Sequence, residues 1–291
     1  MRRRRFIQIA AAALAAPGRA RAETLWQRRA LGADVSVNLS GPSAATDAAL
    51  PRIEALLRGI EAEFSLYDPV SALSRLNGKG RLNPSPDFRA LVGASDRIHR
   101  LTGGRFDPTI QPLWQALATG LPKEPARALI GWDRVAVTRD EIRLGPGQAL
   151  TFNGIAQGFA TDRVRDLLAK AGFTHALVNI GEYSAIGGPF RLGVEDPVAG
   201  LLGHRTLTGA AMATSSPGAL TLGDAAHILD PLGSAPRWSS VTVEADTATL
   251  ADGLSTALCF ADTGEISALL RSRSDIRSVM LVSPGGDLIT L

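Results

Sequence analysis

Cysteine is nearly absent from this 291-residue chain, since Cys259 is the only one. A single thiol excludes an internal disulfide, even in an oxidising compartment. Cys259 lies in the apolar run ALCF, which predicts a small residue of the core. Long apolar runs are also missing: residues 7–16 form a stretch far shorter than the roughly 20 residues of a membrane-spanning helix, so we expect no stable membrane span.

Four common catalytic and nucleotide-binding motifs are missing as well. The sequence contains no GxxxxGK[ST], no GxGxxG after a strand, no HExxH and no GxSxG. These absences argue against a P-loop, a Rossmann dinucleotide site, a zinc-protease helix and the nucleophile turn of α/β-hydrolases. A nucleotide-like ligand would have to be held by other means.

Acidic residues are missing from the first 22 positions, which hold six of the 31 Lys and Arg residues. Without that segment, 25 basic residues face 28 acidic ones, so residues 23–291 have a net charge near −3. The apparent basicity therefore belongs to the N-terminal segment. No basic excess of the kind that binds nucleic acid remains, and we expect no nucleic-acid partner.

Residues 1–22, MRRRRFIQIAAAALAAPGRARA, have the three parts of an export signal. A basic start precedes the apolar run, and the small residues Ala20 and Ala22 predict cleavage before Glu23. The run RRRFIQ at 3–8 resembles a twin-arginine signal, which implies export of the folded protein; an ordinary secretory signal with extra arginines is the alternative. We therefore expect an exported, periplasmic domain over residues 23–291.

Helix and strand patterns mingle along residues 23–291 without a regular βαβ rhythm. Helical periodicity predicts helices over 49–67, 87–104 and 158–172. Alternation and β-branched runs predict strands over 33–39, 175–181, 190–196, 205–209, 239–245 and 278–284. A hairpin turning at Arg139 and Asp140 is predicted over 134–145, and a loop over 74–87. This order favours an α+β fold over a doubly wound sheet.

The segment ATLADGLSTALCF at 248–260 has the pattern of a buried helix but contains polar residues in its middle. In a helix Asp252 and Thr256, four residues apart, share one face, with Ser255 beside them. Carboxylate and hydroxyl oxygens gathered in this way suit a hard cation such as Mg²⁺. The alternative is a helix N-terminus, where Asp252 lies near the positive end of the dipole and the hydroxyls bond to backbone.

Two turn-forming segments are candidates for ligand contacts. In TGGRFDPTIQPL the two glycines allow close backbone approach, and Pro108 holds Asp107 on an extended loop. In LTFNGIAQGFATDRV a strand passes through Asn153 and Gly154 into a helix, whose start can bind an anion or offer a carbonyl to a metal. Each segment also has an alternative interpretation without a ligand. The first fits a helix end followed by an Asx turn, and the second fits an ordinary strand–turn–helix.

His227, in AHILDPLG, is a candidate general acid or base because the unperturbed pKa of histidine is near 6.5. A histidine that only caps this turn is the alternative. His99, His175 and His204 have no chemically reactive neighbours in the sequence and are interpreted as structural.

Taken in order, these segments resemble the ApbE-like family of flavin transferases (FAD:protein FMN transferases). The matching run extends from ALGADVSVNL through FSLYDPVSALSRLN, GGRFDPTIQPL, FNGIAQGFATDRV, LVNIG, FRLGVEDP, ATSS and AHILDP to ADGLSTAL. No single piece is specific, but their shared order and spacing over about residues 30–262 are. The resemblance implies an α+β fold of two intimately packed lobes with mixed, largely antiparallel sheets and flanking helices.

The resemblance also implies the chemistry. Members of this family bind FAD between the lobes, use Mg²⁺ at its pyrophosphate, transfer FMN to a Thr or Ser hydroxyl of an acceptor protein and release AMP. We therefore expect the acceptor among exported or membrane redox proteins. A Mg²⁺-dependent FAD pyrophosphatase and a flavin-binding protein with little turnover are the alternatives.

The family's functional positions carry over to this chain residue by residue. The implied metal ligands are Asp252, Ser255, Thr256 and the carbonyl of Gly154. Asp252 is thereby also a catalytic residue, and His227 is implied as a base for the acceptor hydroxyl or a residue that orients the pyrophosphate. The implied flavin contacts are Tyr67, Arg105, Phe106, Asp107, Thr151, Gln157 and Ile228.

The chain departs from the family pattern near the nucleotide, while the metal motif is intact. Leu31 replaces the Met of an M-G-T strand, Thr151 replaces an acid, and Gln157 stands where Lys or Glu is usual. Glu182 replaces a second glycine, and the turn at 230–236 is one residue short. These changes concern FAD affinity and transfer efficiency rather than the fold.

Overall fold

The computed structural model describes residues 23–291, and the predicted export signal at residues 1–22 lies outside the described residues. The α-helices of the described chain are α1 (Ser43–Phe64), α2 (Ala72–Lys79), α3 (Pro86–Leu101), α4 (Gln111–Thr119), α5 (Lys123–Arg127), α6 (Ala156–Lys170), α7 (Ala248–Leu258) and α8 (Thr263–Ser272). Its strands are β1 (Glu23–Ala30), β2 (Ala33–Ser40), β3 (Arg81–Leu82), β4 (Ala136–Val137), β5 (Ile142–Arg143), β6 (Ala176–Asn179), β7 (Tyr183–Ile186), β8 (Phe190–Asp196), β9 (Gly200–Leu207), β10 (Ala211–Ser215), β11 (Thr221–Leu222), β12 (Ala225–Ala226), β13 (Ser240–Ala245), β14 (Ile276–Val282) and β15 (Leu288–Thr290).

An eight-stranded sheet forms the larger lobe, in the order β1-β2-β6-β7-β10-β13-β14-β15. Every strand pairing within residues 23–291 is antiparallel, which is stricter than the largely antiparallel sheets that we expected. Helices are interspersed among the strands, so the α+β class predicted from the sequence is confirmed.

Both faces of the large sheet are covered, because successive side chains of a strand point to opposite sides. On one face Val178 of β6 joins the main core, which includes the buried sides of α1, α6 and α7. On the other face its neighbour Leu177 and Met212 of β10 pack against Leu192 and Leu207 of the β8–β9 hairpin. Helices α6 and α7 therefore pack against one face of the large sheet.

A smaller lobe contains helices α2–α5 and a three-stranded sheet in the order β3-β5-β4. Its helix α3 contributes Phe88 and Ile98 to the same core that holds Val178 of the large sheet. The rings of Phe64 and Phe88 lie with centroids 5.3 Å apart, and those of Phe64 and Phe152 lie 5.8 Å apart. One continuous core thus joins the two lobes.

One predicted element is wrong. The segment 74–87, expected to be a loop, begins within helix α2 and contains strand β3. Ser71 caps α2 by accepting a hydrogen bond from the Ser74 amide, and the buried Leu73 and Leu76 hold the helix on the core. So short a helix, with several polar residues and a glycine, has too little periodicity to be seen in the sequence.

The other predicted elements are confirmed. Strands β4 and β5 form the expected hairpin, with Arg139 and Asp140 between them. The polar segment that begins at residue 248 is helix α7, as its pattern predicts. Within residues 23–291, no helix is both long and apolar enough to cross a membrane.

Candidate active site

A cavity of about 2620 Å³ is lined by residues of both lobes. It is larger than the roughly 300–1,000 Å³ of a typical small-molecule pocket. Its wall contains eleven of the twelve site residues proposed from the sequence: Tyr67, Arg105, Phe106, Asp107, Thr151, Gly154, Gln157, His227, Ile228, Asp252 and Thr256. The fold therefore brings together residues that are separated by up to 189 positions in the sequence.

Helix α7 presents Asp252 and Thr256 to this cavity. The N-terminus of α7 is capped by Thr247, whose hydroxyl accepts a hydrogen bond from the Leu250 amide, so Asp252 lies beyond the cap. Thr256 Oγ1 donates to the carbonyl oxygen of Gly154 across 3.4 Å. A carboxylate, a hydroxyl and a carbonyl oxygen thus line one cavity. Asp252 lies one turn into α7, whereas the hydroxyls of Ser255 and Thr256 bond to backbone carbonyl groups, as the alternative interpretation predicts.

Gly158 of α6 lets the two helices approach closely enough to form this cluster. Its amide donates a hydrogen bond of 2.9 Å to Asp252 Oδ2. A Cβ atom at Gly158 would lie 2.3 Å from the Ala248 carbonyl oxygen and 2.7 Å from Asp252 Cβ. Gly158 is not among the residues proposed from the sequence, where its only signal is a glycine inside an amphipathic helix.

Asp162 of α6 fixes the start of α7. Its carboxylate accepts hydrogen bonds from the amides of Ala248 and Thr249, both at 2.8 Å, and from Thr249 Oγ1 at 2.5 Å. Burial raises the pKa of Asp162, and the bonds from Thr249 and Ala248 oppose that rise. Asp162 was also missed in the sequence, although an acid on the buried face of a helix normally has a specific partner.

Ser255 does not line the cavity, unlike the other proposed residues. Its hydroxyl lies 2.8 Å from Ser215 Oγ and donates to the carbonyl oxygen of Asp252 at 2.9 Å. Ser215 does line the cavity, and its Oγ lies 3.3 Å from Thr256 Oγ1. The structure thus places Ser255 behind the wall and Ser215 in it, and a direct bond from Ser255 to a metal stays a prediction.

Asp252 and Glu182 are both buried carboxyl groups in the cavity wall. Burial, with a smaller contribution from the charge of Asp162, raises the pKa of Asp252 to about 7. Burial also raises the pKa of Glu182 well above its usual range, and the charge of Asp252 adds to that rise. None of the ion pairs within residues 23–291 includes Asp252 or Glu182. A cation at this place would stabilise the charged forms.

The donor atoms at this place suit a hard cation. No three His, Cys, Asp or Glu side chains gather into a metal-binding group in the described part of the chain. The available donors are carboxylates, hydroxyls and one backbone carbonyl. Mg²⁺ is usually bound through one or two carboxylates, keeps several waters and contacts substrate phosphates. The residues present therefore fit Mg²⁺ held between the protein and a phosphorylated ligand.

Asp107 and Arg105 lie on one loop at the cavity edge but have different surroundings. The Asp107 carboxylate accepts from the Thr109 amide at 2.8 Å, from Thr109 Oγ1 at 2.6 Å and from the Trp132 amide at 3.2 Å. These bonds form the Asx turn of the alternative interpretation, so Asp107 shapes the loop. Arg105 Nη1 pairs with Glu265 Oε1 at 2.8 Å, whereas its buried Nε has no partner.

The other flavin candidates line the cavity at different depths. Tyr67 is 71% exposed, whereas Phe106 belongs to the core. Gln157 lies against Gly181, where a Cβ atom would be 2.6 Å from the Gln157 Cδ atom. Gly181 has a φ of +98°, a conformation that favours glycine. The contacts of these residues with a flavin stay predictions.

His227 lies in the cavity wall beside Ile228. Its Nδ1 atom is 3.0 Å from the Pro217 carbonyl oxygen and 3.2 Å from the Leu220 carbonyl oxygen. Because a carbonyl oxygen only accepts hydrogen bonds, Nδ1 carries the proton, and Nε2 is the basic nitrogen of the neutral ring. This tautomer is compatible with a general base at Nε2.

The sequence matches one protein family and relatives that share one name. The sequence profile of the ApbE family matches residues 31–280. A protein of Haemophilus influenzae named FAD:protein FMN transferase is 28% identical over 270 residues, which cover 79% of this chain and 77% of that protein. A Klebsiella pneumoniae protein of the same name is 24% identical over 299 residues, which cover 90% and 82% of the two chains.

Solved structures match the same fold. The apo crystal structure of Pseudomonas stutzeri flavinyl transferase ApbE superimposes with a TM-score of 0.81 and 26% identity, covering 93% of this chain and 94% of that chain. Flavin transferase ApbE from Vibrio cholerae has a TM-score of 0.81 at 22% identity and covers 94% and 97%. At 22% identity, the similarity to the Vibrio cholerae protein shows the fold alone. That fold agrees with the α+β architecture described above.

Proposed function

The chain belongs to the ApbE family, and we propose that it is an FAD:protein FMN transferase, the name that its relatives in H. influenzae and K. pneumoniae have. A Thr or Ser hydroxyl oxygen of an acceptor protein attacks the FMN phosphorus of FAD. The bond from that phosphorus to the oxygen shared with the AMP phosphate breaks, and AMP leaves. FMN is then joined to the acceptor through a phosphate ester.

One observation carries this proposal: Asp252, Thr256 and the Gly154 carbonyl lie on the wall of a cavity that the flavin candidates also line. Phosphoryl transfer requires little covalent chemistry from the protein and depends on positioning and charge neutralisation. Asp162 and Gly158 supply the positioning of α7, because they hold its start and its Asp252 side chain against α6.

We propose Mg²⁺ as the metal of this site, with Asp252, Thr256 and the Gly154 carbonyl as its protein donors. When bound, Mg²⁺ would neutralise charge on the pyrophosphate of FAD and on the AMP leaving group. Ser215 and Ser255 orient the Thr256 hydroxyl and α7 through their hydrogen bonds.

His227 is the proposed general base for the acceptor hydroxyl. The carbonyl groups of Pro217 and Leu220 hold its ring with the proton on Nδ1. Nε2 then takes the proton that the acceptor hydroxyl loses as its oxygen bonds to phosphorus.

The size of the cavity is compatible with a protein acceptor. About 2620 Å³ exceeds the upper value of roughly 1,000 Å³ for small-ligand pockets, so the cavity has room for FAD and for an extended acceptor segment. The export signal predicted at residues 1–22 supports an exported or membrane redox protein as the acceptor and the periplasm as the site of the reaction.

The test uses residues 23–291 with FAD, Mg²⁺ and a flavin-carrying domain of an exported redox protein. We expect AMP release, followed by chromatography, and a fluorescent acceptor band in a denaturing gel. AMP and free FMN with an unlabelled acceptor would instead indicate the pyrophosphatase, and FAD binding without AMP would indicate a flavin-binding protein.

The variant Asp252→Ala tests the metal assignment. It removes the carboxylate of the site, and we expect it to abolish AMP release while its circular dichroism spectrum stays that of the folded protein. Asp224→Ala, which removes an exposed acid that does not line the cavity, is expected to keep full activity. Normal FAD turnover by Asp252→Ala with Mg²⁺ would show that the metal assignment is wrong.

A further inference from the structure

Glu182 is a second buried carboxylate at the same wall as Asp252. It directly precedes β7, is 9% exposed and lines the cavity. Its Oε2 atom accepts a hydrogen bond of 3.1 Å from the Thr214 amide, and its carbonyl oxygen accepts one of 3.1 Å from Thr161 Oγ1. Strand β10 therefore holds the Glu182 side chain, and helix α6 holds its backbone.

The residue that holds the Glu182 side chain is next in sequence to a residue that contacts a proposed metal donor. Thr214 precedes Ser215, whose Oγ lies 3.3 Å from Thr256 Oγ1. The Glu182 carboxylate is thus bound to the backbone amide one residue from a hydroxyl that contacts the Thr256 side chain. Glu182 and Asp252 also line the same cavity.

Two buried carboxyl groups on one wall are either protonated or neutralised by a cation that lies close to both. Within residues 23–291, neither carboxylate has a Lys, Arg or His in an ion pair. The single backbone amide at Glu182 Oε2 satisfies only part of the accepting capacity of a carboxylate. A divalent cation is the partner that offsets both charges at once.

We propose that Glu182 supplies a second carboxylate to the metal site, so that the cation lies between Glu182 and Asp252. This inference rests on the metal site of the proposed function and goes beyond it by assigning a residue that departs from the family pattern. The added negative charge strengthens cation binding before any phosphorylated ligand arrives.

The test measures Mn²⁺ binding to residues 23–291 by electron paramagnetic resonance, without FAD or acceptor. Glu182→Gln keeps an oxygen that can accept from the Thr214 amide but loses the charge, and we expect the Mn²⁺ dissociation constant to rise about tenfold. Glu195→Gln is the matched control, since Glu195 lines the same cavity from strand β8 and is not among the proposed metal donors. We expect its dissociation constant to stay within about twofold of the unchanged protein, a smaller change than loss of a site group gives.

A second readout separates metal binding from a purely structural role. Adding Mn²⁺ should raise the melting temperature of Glu182→Gln less than that of the unchanged protein, because the variant binds the metal more weakly. Glu182→Asp keeps the charge and should lose less Mn²⁺ affinity than Glu182→Gln. Unchanged Mn²⁺ affinity in Glu182→Gln, or equal losses in both variants, would overturn the inference. Failure of FMN transfer with normal Mn²⁺ binding would count against the proposed function alone.

Discussion

Asp252 is an acid in the middle of a buried helix, and its neighbours decide between its two interpretations. Thr247 and Asp162 make the hydrogen bonds at the start of α7, so the helix end needs nothing from Asp252. Only Oδ2 of Asp252 is bound to the Gly158 amide, and the residue faces the cavity. A buried acid that the helix end does not need is a candidate for binding a ligand.

The raised pKa of Asp252 predicts how stability depends on pH. In the unfolded chain its pKa is near 3.9, and in the folded protein burial raises it to about 7. The metal-free folded state therefore binds the proton more tightly, and its free energy of unfolding falls as the pH rises from about 4 to about 7. Mg²⁺ binds the ionised form, so its stabilising effect should grow over the same window.

Melting temperatures from pH 5 to pH 8, with EDTA or with Mg²⁺, check this prediction. Asp252→Asn serves as the control, because it should flatten much of the pH dependence in both series. A stabilisation by Mg²⁺ that is the same at every pH would contradict the expected coupling of metal and proton.

At the scale of elements, the site is built at the contact of α6 and α7. Glycine at position 158 permits this contact, and Asp162 sets the register of the two helices. Both interactions join residues more than 80 positions apart, so they leave no local pattern in the sequence. This is why Gly158, Asp162 and Ser215 were missed, whereas Asp252 and Thr256, four apart on one helix, were found.

Gly158→Ala tests the contact of the two helices. The added Cβ would meet the Ala248 carbonyl oxygen, so we expect a loss of about 1–3 kcal/mol in the free energy of unfolding. Displacement of α7 should also weaken metal binding. Urea denaturation and Mn²⁺ titration measure the two effects.

Gly59→Ala is the matched control, in the middle of α1. Gly59 is exposed, and nothing lies within 4 Å of the added Cβ. Alanine there should leave stability unchanged or raise it by up to about 1 kcal/mol. If Gly158→Ala were as stable as Gly59→Ala, the close approach of α6 and α7 would not be required.

At the scale of the whole molecule, most of the architecture could be predicted because long elements have clear periods. Helices α1, α3 and α6 and strands β2, β8 and β13 lie where the sequence predicts them. Helix α2 was missed, since it is short and its stability comes from burial of Leu73 and Leu76. The resemblance to a family predicted which residues belong to one site. Only the structure shows how deeply each of them is buried.

The predicted export signal, outside the described residues, has its own test. A double variant, Arg3→Lys with Arg4→Lys, should leave the uncleaved precursor in the cytoplasm, because a twin-arginine signal requires both arginines. Arg19→Lys with Arg21→Lys, outside the RRRFIQ run, is the control for replacing two arginines by lysine elsewhere in the signal. Immunoblots of cell fractions measure both. Unchanged export of the first variant would favour the ordinary secretory signal.

The burial of the metal-site side chains has a consequence for the shape of the acceptor. Asp252 is only 4% exposed, whereas Tyr67, in the wall of the same cavity, is 71% exposed. If FMN is transferred at the proposed metal site, a hydroxyl on a flat, rigid surface would not reach the buried Asp252. We therefore expect the proposed acceptor to carry its hydroxyl on a projecting loop or a free chain end that can enter the cavity.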